Sequence, residues 1–283
     1  MDTRTTKNAA YYITMALKYI ILVITSFIMI APLVTVLFGA FKTKQELLST
    51  NVLTPPENWL NFANFLTAWT KGRMAVGFFN TTIILIAAIA ATILTGTMTA
   101  YVLSRFQFRG KGLVKGAFLL ASLVPSITMQ MSTFQIIVGM GLYNTRLATI
   151  LLFAGTDIIS IYIFLQFLDG IPDSLDEAAI VDGASFPRIY FSIIMPLLKP
   201  AIVTVIIIKG IGFYNEFYTP YLYMKSKKLQ VISTSLYAFQ GPYGTDWQVI
   251  CAACIITMLP TLILFLLLQK QIYSGLTAGA VKG

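Results

Sequence analysis

Histidine is absent from this chain of 283 residues, and charged residues make up only 11% of it. Without histidine, a His-based proton relay and a His-ligated metal site are both excluded. The chain also lacks a GxxxxGK[ST] phosphate-binding loop, because Gly110-Lys111-Gly112 has neither the spacing nor the hydroxyl residue. We therefore expect no ATP hydrolysis by this chain, so that any ATP-driven work needs a partner.

Cysteine is also scarce, since the chain has only two. Cys251 and Cys254 form a CxxC pattern, which in a soluble redox protein would indicate a reactive dithiol. Here the pattern falls inside an apolar run, where cysteine behaves as a small packing residue. We expect no redox role for it.

Apolar residues are abundant, at 57% of the chain, and they cannot all be kept inside one water-soluble core. The composition predicts an all-α integral membrane protein. Six apolar stretches are long enough to cross about 30 Å of hydrocarbon as helices. They are Tyr19–Phe41, Phe78–Ser104, Leu113–Gly139, Arg146–Leu168, Ala201–Met224 and Val249–Gln269. The first is too long for the apolar region of a signal peptide, and Pro125 predicts a kink in the third.

The distribution of Lys and Arg predicts how these spans are oriented. Basic residues precede the first span and crowd the short loop between the second and third, which places both termini in the cytoplasm. Lysines in the predicted external loops argue against this orientation. The net charge of +9 is scattered among loops on both sides, which favours anionic lipid as a partner and argues against nucleic acid.

One polar stretch, Asp173 to Pro200, interrupts the apolar pattern. Ser174 followed by Glu177 fits a capping box, and Gly183 is suited to end a first short helix. Ser185 and Pro187 predict the start of a second short helix. A membrane protein needs such a polar two-helix element mainly to receive force from a soluble partner.

The same stretch resembles the EAA loop of ABC importer permeases at Glu177, Ala178, Ala179, Asp182 and Gly183. Three further segments resemble the MalG-type branch of carbohydrate permeases. They read AYVLSRFQFRGKG from Ala100, GLYNTRLATIL from Gly141 and SGLTAGAVKG from Ser274. The resemblance covers most of the chain.

This resemblance implies the type I importer permease fold, with six transmembrane helices and a cytoplasmic coupling loop at 169–199. It implies a homologous second permease subunit, a dimer of ATPase subunits that binds the ATP and Mg, and an extracellular or periplasmic sugar-binding protein. Phe186 and Pro187 join the coupling residues. The expected location is the cytoplasmic membrane of a prokaryote, and the expected cargo is a sugar or oligosaccharide. A glycerol phosphate ester or a polyol is the alternative cargo.

Other function classes find less support in the sequence. An ion-coupled secondary transporter would need a coupling site and often inverted repeats, neither of which is evident. An intramembrane enzyme would need a nucleophile and base in the spans, and no such pair stands out. No cofactor or metal is expected on this chain.

Charged residues inside predicted spans are costly and usually functional. Counting helical rise from the cytoplasmic ends places Asp157 and Lys209 at similar depth, so they could form an ion pair or serve the cargo path. Glu216 falls two turns beyond Lys209 and is expected to face a cavity.

The segment around Glu216 also contains Tyr214, Asn215 and Tyr218. Hydroxyl, amide and aromatic groups suit a sugar path, whereas an aromatic belt at the membrane surface is the alternative. The resembling family usually has Trp where this chain has Tyr214. In such heterodimers the other permease subunit is the alternative site of cargo contact.

The sequence predicts a single membrane domain. Residues 1–18 form a cytoplasmic lead, residues 19–270 the transmembrane domain and residues 271–283 a small, flexible cytoplasmic tail, which in the resembling family reaches between the ATPase subunits. An external loop at 42–77 contains short amphipathic stretches and several aromatics, which favours packing on the membrane surface, contact with a binding protein, or both.

Overall fold

The computed structural model describes residues 9–155, 157–241 and 244–280, and these are mostly helical. The α-helices are α1 Ala9–Phe41, α2 Lys44–Ser49, α3 Ala63–Lys71, α4 Met74–Arg105, α5 Lys111–Ser122, α6 Gln130–Gly139, α7 Arg146–Ala154, α8 Ile158–Leu168, α9 Ser174–Val181, α10 Phe186–Ile189, α11 Met195–Leu197, α12 Lys199–Asn215, α13 Tyr218–Tyr223, α14 Ile232–Ser235 and α15 Trp247–Ala280. Two short 3₁₀ turns occupy Ser126–Met129 and Leu236–Phe239, and a π-helical turn occupies Tyr190–Ile194. The strands β1 Gln240–Gly241 and β2 Gly244–Thr245 pair antiparallel.

Three stretches of helix are long and apolar enough to cross a bilayer: Tyr11–Phe41, Met74–Arg105 and Trp247–Leu267. Three further candidates are helix pairs bent at a short break. They are Lys111–Ser122 with Ile127–Gly139 at 91°, Arg146–Ala154 with Ile158–Leu168 at 43°, and Phe186–Leu197 with Lys199–Asn215 at 70°. A count of six among the described residues therefore requires each bent pair to be one span.

The predicted fifth span, Ala201–Met224, is wrong as a continuous helix. Helix α12 ends at Asn215, and Glu216 takes an extended conformation before α13 begins at Tyr218. Pro220 explains the position of the break, because in a continuous helix its ring would collide with the carbonyl of Glu216 and could not donate to it.

Other helix limits also differ from the sequence prediction. The third predicted span bends by 91° at the Pro125 region, which is a break and not a mild kink. Helix α1 begins at Ala9, inside the expected lead, and α15 continues to Ala280, through most of the expected tail. Residues 1–8 and 281–283 of those two segments lie outside the described residues.

The chain divides into two compact units. The first comprises Met1–Gly72 and Leu236–Leu259, and the second comprises Arg73–Ser235 and Pro260–Gly283. In the first unit α1 and α15 approach closely, since a Cβ added to Gly39 would lie 2.9 Å from the Cys251 Sγ. Cys251 and Cys254 are free, half-buried thiols, and this close contact agrees with a packing role.

In the second unit α4 contacts α7, α8, α12 and α14. Its main apolar core joins the C-terminal half of α4 to α8 and to the segment after α9. Phe164, Leu168, Ile189, Ile194 and Leu198 in this core are fully buried. The core thus supports the polar two-helix element on the residues that end α4 and α8.

Candidate functional site

The first short helix of the polar element, α9, begins differently from the prediction. Asp173 occupies the N-cap position, and its backbone oxygen accepts from the N–H groups of Asp176 and Glu177 at 3.0 and 3.1 Å. No side chain caps this end among the described residues, so the Ser174–Glu177 capping box is wrong. The carboxylate of Asp173 is instead bound by Arg105, which fixes the start of the helix from outside.

The end of α9 matches the prediction for Gly183. This residue has φ +77°, and its N–H donates to the Ile180 oxygen at 2.9 Å. The Ala184 N–H donates to the Ala179 oxygen at 2.9 Å, which completes a Schellman motif. Glycine is favoured here because a side chain at positive φ is strained, although the space around the position is open.

A buried polar network ties α9 to the end of α4. The Arg105 Nε donates to Asp176 Oδ2 at 2.9 Å, its Nη2 donates to the Ile171 oxygen at 2.8 Å, and its Nη1 contacts Asp173. The Tyr101 hydroxyl donates to Asp176 Oδ1 at 2.8 Å. The Arg105 and Asp176 side chains are only 9% and 10% exposed. Both carboxylate oxygens and the guanidinium are therefore satisfied where water has little access.

The second half of the element, α10 with the following π turn, packs against α4 through aromatic rings. Tyr101 contacts Tyr190 at a centroid distance of 5.7 Å, and Phe106 contacts Phe186 at 5.1 Å. The Tyr190 hydroxyl lies 2.7 Å from Thr97 Oγ1. Polar and aromatic contacts thus hold both short helices on the same end of α4.

The outward side of the element combines charge with apolar surface. Glu177, Ala178, Asp182, Gly183, Phe186 and Pro187 are exposed, whereas Ala179 is buried. The Glu177 carboxylate makes no hydrogen bond or ion pair within the part of the chain that the structure describes. Four large apolar side chains are also exposed: Leu175, Ile180, Val181 and Phe186. This combination is typical of a surface that binds another protein.

Asp157 and Lys209 are brought together. Their Oδ1 and Nζ atoms lie 2.6 Å apart, and both side chains are largely buried, at 13% and 17% exposure. Asp157 precedes α8 at the break between α7 and α8, and Ser160 donates to its other oxygen. The pair joins α12 to this break, and each oxygen of the carboxylate has a partner within the protein.

The four residues suggested for a sugar path make different contacts. Tyr214 lines a small pocket with Phe153, Phe213 and others, and the rings of Phe153 and Phe213 stack at 4.5 Å. The Glu216 carboxylate accepts from the Thr219 N–H at 3.0 Å and so caps α13. Asn215 donates to the Ile211 oxygen, and Tyr218 is half exposed.

Sequence reasoning missed the network of Tyr101, Arg105 and Asp176. Arg105 counted only among the basic residues between the second and third spans, and no partner was predicted for Asp176. The available signal was an arginine at the very end of an apolar run, a position where a guanidinium commonly finds a carboxylate.

Bilayer-length apolar helices and an exposed, charged two-helix element are typical of an integral membrane protein with a surface for protein contact. Residues 92–277 match the family model described as binding-protein-dependent transport system inner membrane component. The chain belongs to this family. It is thus a permease component of a transport system.

The chain is similar to other permeases over most of its length. It is 28% identical to the diacetylchitobiose uptake system permease protein NgcG of Streptomyces coelicolor, over 94% of this chain and 89% of that protein. It is 30% identical to the melibiose/raffinose/stachyose import permease protein MelC of Bacillus subtilis, over 79% and 82%. A crystal structure of a bacterial ABC transporter involved in the import of the acidic polysaccharide alginate shares the fold, with a TM-score of 0.82, 17% identity and coverage of 93% and 98%.

Proposed function

We propose that the chain is one of two permease subunits in an ATP-driven, binding-protein-dependent importer of sugars, chiefly oligosaccharides. The observation that carries this proposal is the exposed face of α9 and α10, fixed to α4 by the buried Arg105 network. Membership of the family and the sugar cargo of the similar permeases support it. The chain supplies part of the pore and no chemistry.

In this mechanism the three long helices and three bent pairs provide six spans, with α12 as the membrane-crossing part of the pair that begins at Phe186 and with both termini in the cytoplasm. The 169–199 segment is then the coupling loop, where the ATPase dimer, which holds ATP and Mg, meets Glu177, Asp182 and Phe186. Because Arg105 and Tyr101 bind α9 in a nearly dry site, motion of α9 pulls the end of α4 with it. Helix α4 packs on α7, α8 and α12, so its displacement is passed on to these helices.

The coupling surface is tested by charge reversal at Glu177. Glu177→Lys adds positive charge on an exposed residue that has no partner in the described chain, so the subunit is expected to reach the membrane but to retain less ATPase. Glu57→Lys is the matched control, since Glu57 is also exposed and lies in the predicted external loop. ATPase recovered with the affinity-purified permease pair is the measurement. Undiminished recovery together with full sugar uptake would contradict the assignment.

The sugar path is tested at Tyr218, whose ring is half exposed. Tyr218→Ala is expected to lower uptake of labelled oligosaccharide per assembled complex while ATPase recovery stays at the parent level. A role in an aromatic belt would instead lower expression or stability. If normalised uptake is unchanged, the path runs elsewhere, and the partner permease subunit becomes the place to search.

A further inference from the structure

Helix α3 is fixed to the end of α1 by side-chain amides. The Asn64 Nδ2 donates to the oxygens of Ala40 and Lys42, both at 2.8 Å, and the Asn61 Nδ2 donates to the Phe41 oxygen at 3.0 Å. These oxygens belong to the last turn of α1 and the residue after it, which have no helical donors of their own. The position of α3 along the axis of α1 is therefore set.

Helix α3 exposes an apolar side, unlike a helix on the surface of a soluble protein. Its inward side presents Asn64 and Ala68, which are buried. Its outward side presents Phe62, Leu66 and Trp69, which follow i, i+4, i+7 spacing and are 56%, 67% and 45% exposed. We call these three residues the α3 face. A soluble helix places its apolar stripe inward and its polar residues outward.

The surroundings of the α3 face are also apolar and aromatic. Trp59 and Leu60, just before α3, are exposed. The Phe41 ring, at the end of α1, contacts the rings of Trp59, Phe62 and Phe65 at centroid distances of 5.1 to 5.7 Å. The ammonium of the adjacent Lys42 is turned away and fully buried, where it donates to Thr50 Oγ1 and the Asn51 oxygen. The exposed surface at this end of α1 is thus kept free of the Lys42 charge.

The depth of α3 follows from that of α1. The stretch Tyr11–Phe41 is long and apolar enough to span a bilayer, and none of its most apolar window is buried within the described chain. A helix of 31 residues is about 46 Å long, close to the thickness of the hydrocarbon and both headgroup layers together, so a helix tied to its last residues lies at headgroup level. Tryptophan is enriched at that level, and an amphipathic helix in that plane buries its apolar face among acyl chains.

We propose that α3 is an interfacial helix that lies flat in the membrane surface, with the α3 face against phospholipid acyl chains, and that it fixes the depth of the end of α1. In the proposed function this surface belongs to the outer leaflet, and that assignment rests on the proposed function. The contact of the α3 face with lipid does not rest on it. A soluble binding protein fits this face less well, because such a protein docks and leaves, and the face would then meet water in every cycle.

The experiment uses nitroxide labels in the whole transporter, reconstituted in phosphatidylcholine and phosphatidylglycerol nanodiscs. Cys251→Ala and Cys254→Ala remove both native thiols of this chain, and the other subunits are made cysteine-free. One label is attached at Leu66→Cys, and the matched control is Lys71→Cys, an exposed position on the same helix about 140° away around its axis. Phe62→Cys provides a second position on the α3 face. Collision rates with oxygen, which partitions into lipid, and with a water-soluble nickel chelate are measured by electron paramagnetic resonance.

The label at Leu66 is expected to collide more often with oxygen than with nickel, and the label at Lys71 should show the reverse order. Phe62 should behave as Leu66 does. Frequent nickel collisions at Leu66 would place the face in water and overturn the proposal. Low collision rates with both reagents would place it against the partner permease, and nickel shielding only on addition of the binding protein would assign it to that protein. Either result also overturns the proposal.

Complex recovery and sugar uptake are measured on the same samples. Loss of ATPase recovery or uptake in the parent transporter bears on the proposed function, whereas the collision rates bear on α3 alone. The two failures are therefore distinguishable.

Discussion

Removing the Tyr101 hydroxyl should loosen the attachment of the polar two-helix element to α4 without changing the exposed surface of that element. In Tyr101→Phe the ring remains, and only the 2.8 Å hydrogen bond to Asp176 Oδ1 is lost. A hydrogen bond to a charged group contributes about 1.5 to 3 kcal/mol. Both residues are buried, and Arg105 still binds the other carboxylate oxygen, so water compensates little of this loss. Local opening of α9 should become about 10-fold to 150-fold more frequent, at about 1.4 kcal/mol per tenfold change.

Amide hydrogen exchange of peptides covering 169–183 measures this opening directly. The amides of Asp176 and Glu177, which bind the Asp173 oxygen, should report it first. Tyr162→Phe is the matched control, because its exposed hydroxyl makes only a 3.3 Å bond to the Lys115 oxygen. Equal exchange in Tyr101→Phe, the control and the parent would refute the view that this network holds α9 to α4.

Three further outcomes are expected. Gly183→Ala should destabilise the end of α9 by about 1 kcal/mol, because alanine at φ +77° is strained. It should lower ATPase recovery more than the control Gly112→Ala, where φ is not positive, and equal recovery in the two variants would contradict this. Each of the single variants Asp157→Asn and Lys209→Met should lower the free energy of unfolding by about 3 to 5 kcal/mol, and the double variant should lower it by less than the sum. Strict additivity in a double-mutant cycle measured in detergent would show that the two residues are not coupled. The pKa of Asp246 is held below its ordinary value, chiefly by a hydrogen bond from Lys44. This pair should therefore stabilise the folded chain fully above the unfolded-state pKa of about 4, and the contribution should be lost as the pH falls through the lower folded pKa. An NMR titration midpoint for Asp246 at or above about 4 would contradict this prediction.

The parts of the site that sequence predicted are those governed by local geometry. Gly183 was found because a helix end with positive φ requires a residue that tolerates it. Asp157 and Lys209 were matched because helical rise is constant, and the structure joins them across a helix break that the count ignored. Both inferences needed only the spacing of residues along the chain.

The parts that sequence missed depend on groups distant in the chain or on competing signals. Asp173 occupies the N-cap of α9, where Arg105 at the end of another helix binds its carboxylate. The local capping-box pattern at Ser174 contains no information about that distant residue. The break at Glu216 was in principle readable from Pro220, four residues on, but the apolar and aromatic run around it favoured an uninterrupted span. The helical character of the chain and its bilayer-length helices followed from composition, because apolar stretches of that length have few alternatives.

The Asp157–Lys209 pair has an electrical consequence. One elementary charge moved across a membrane potential of 100 mV exchanges about 2.3 kcal/mol with the field. A displacement that carries both residues together moves no net charge, so the field does no work on it. Separating them along the membrane normal would create a dipole that the potential could drive or oppose. As long as the contact persists, the helix break and α12 can shift during transport without making the rate of this step sensitive to voltage.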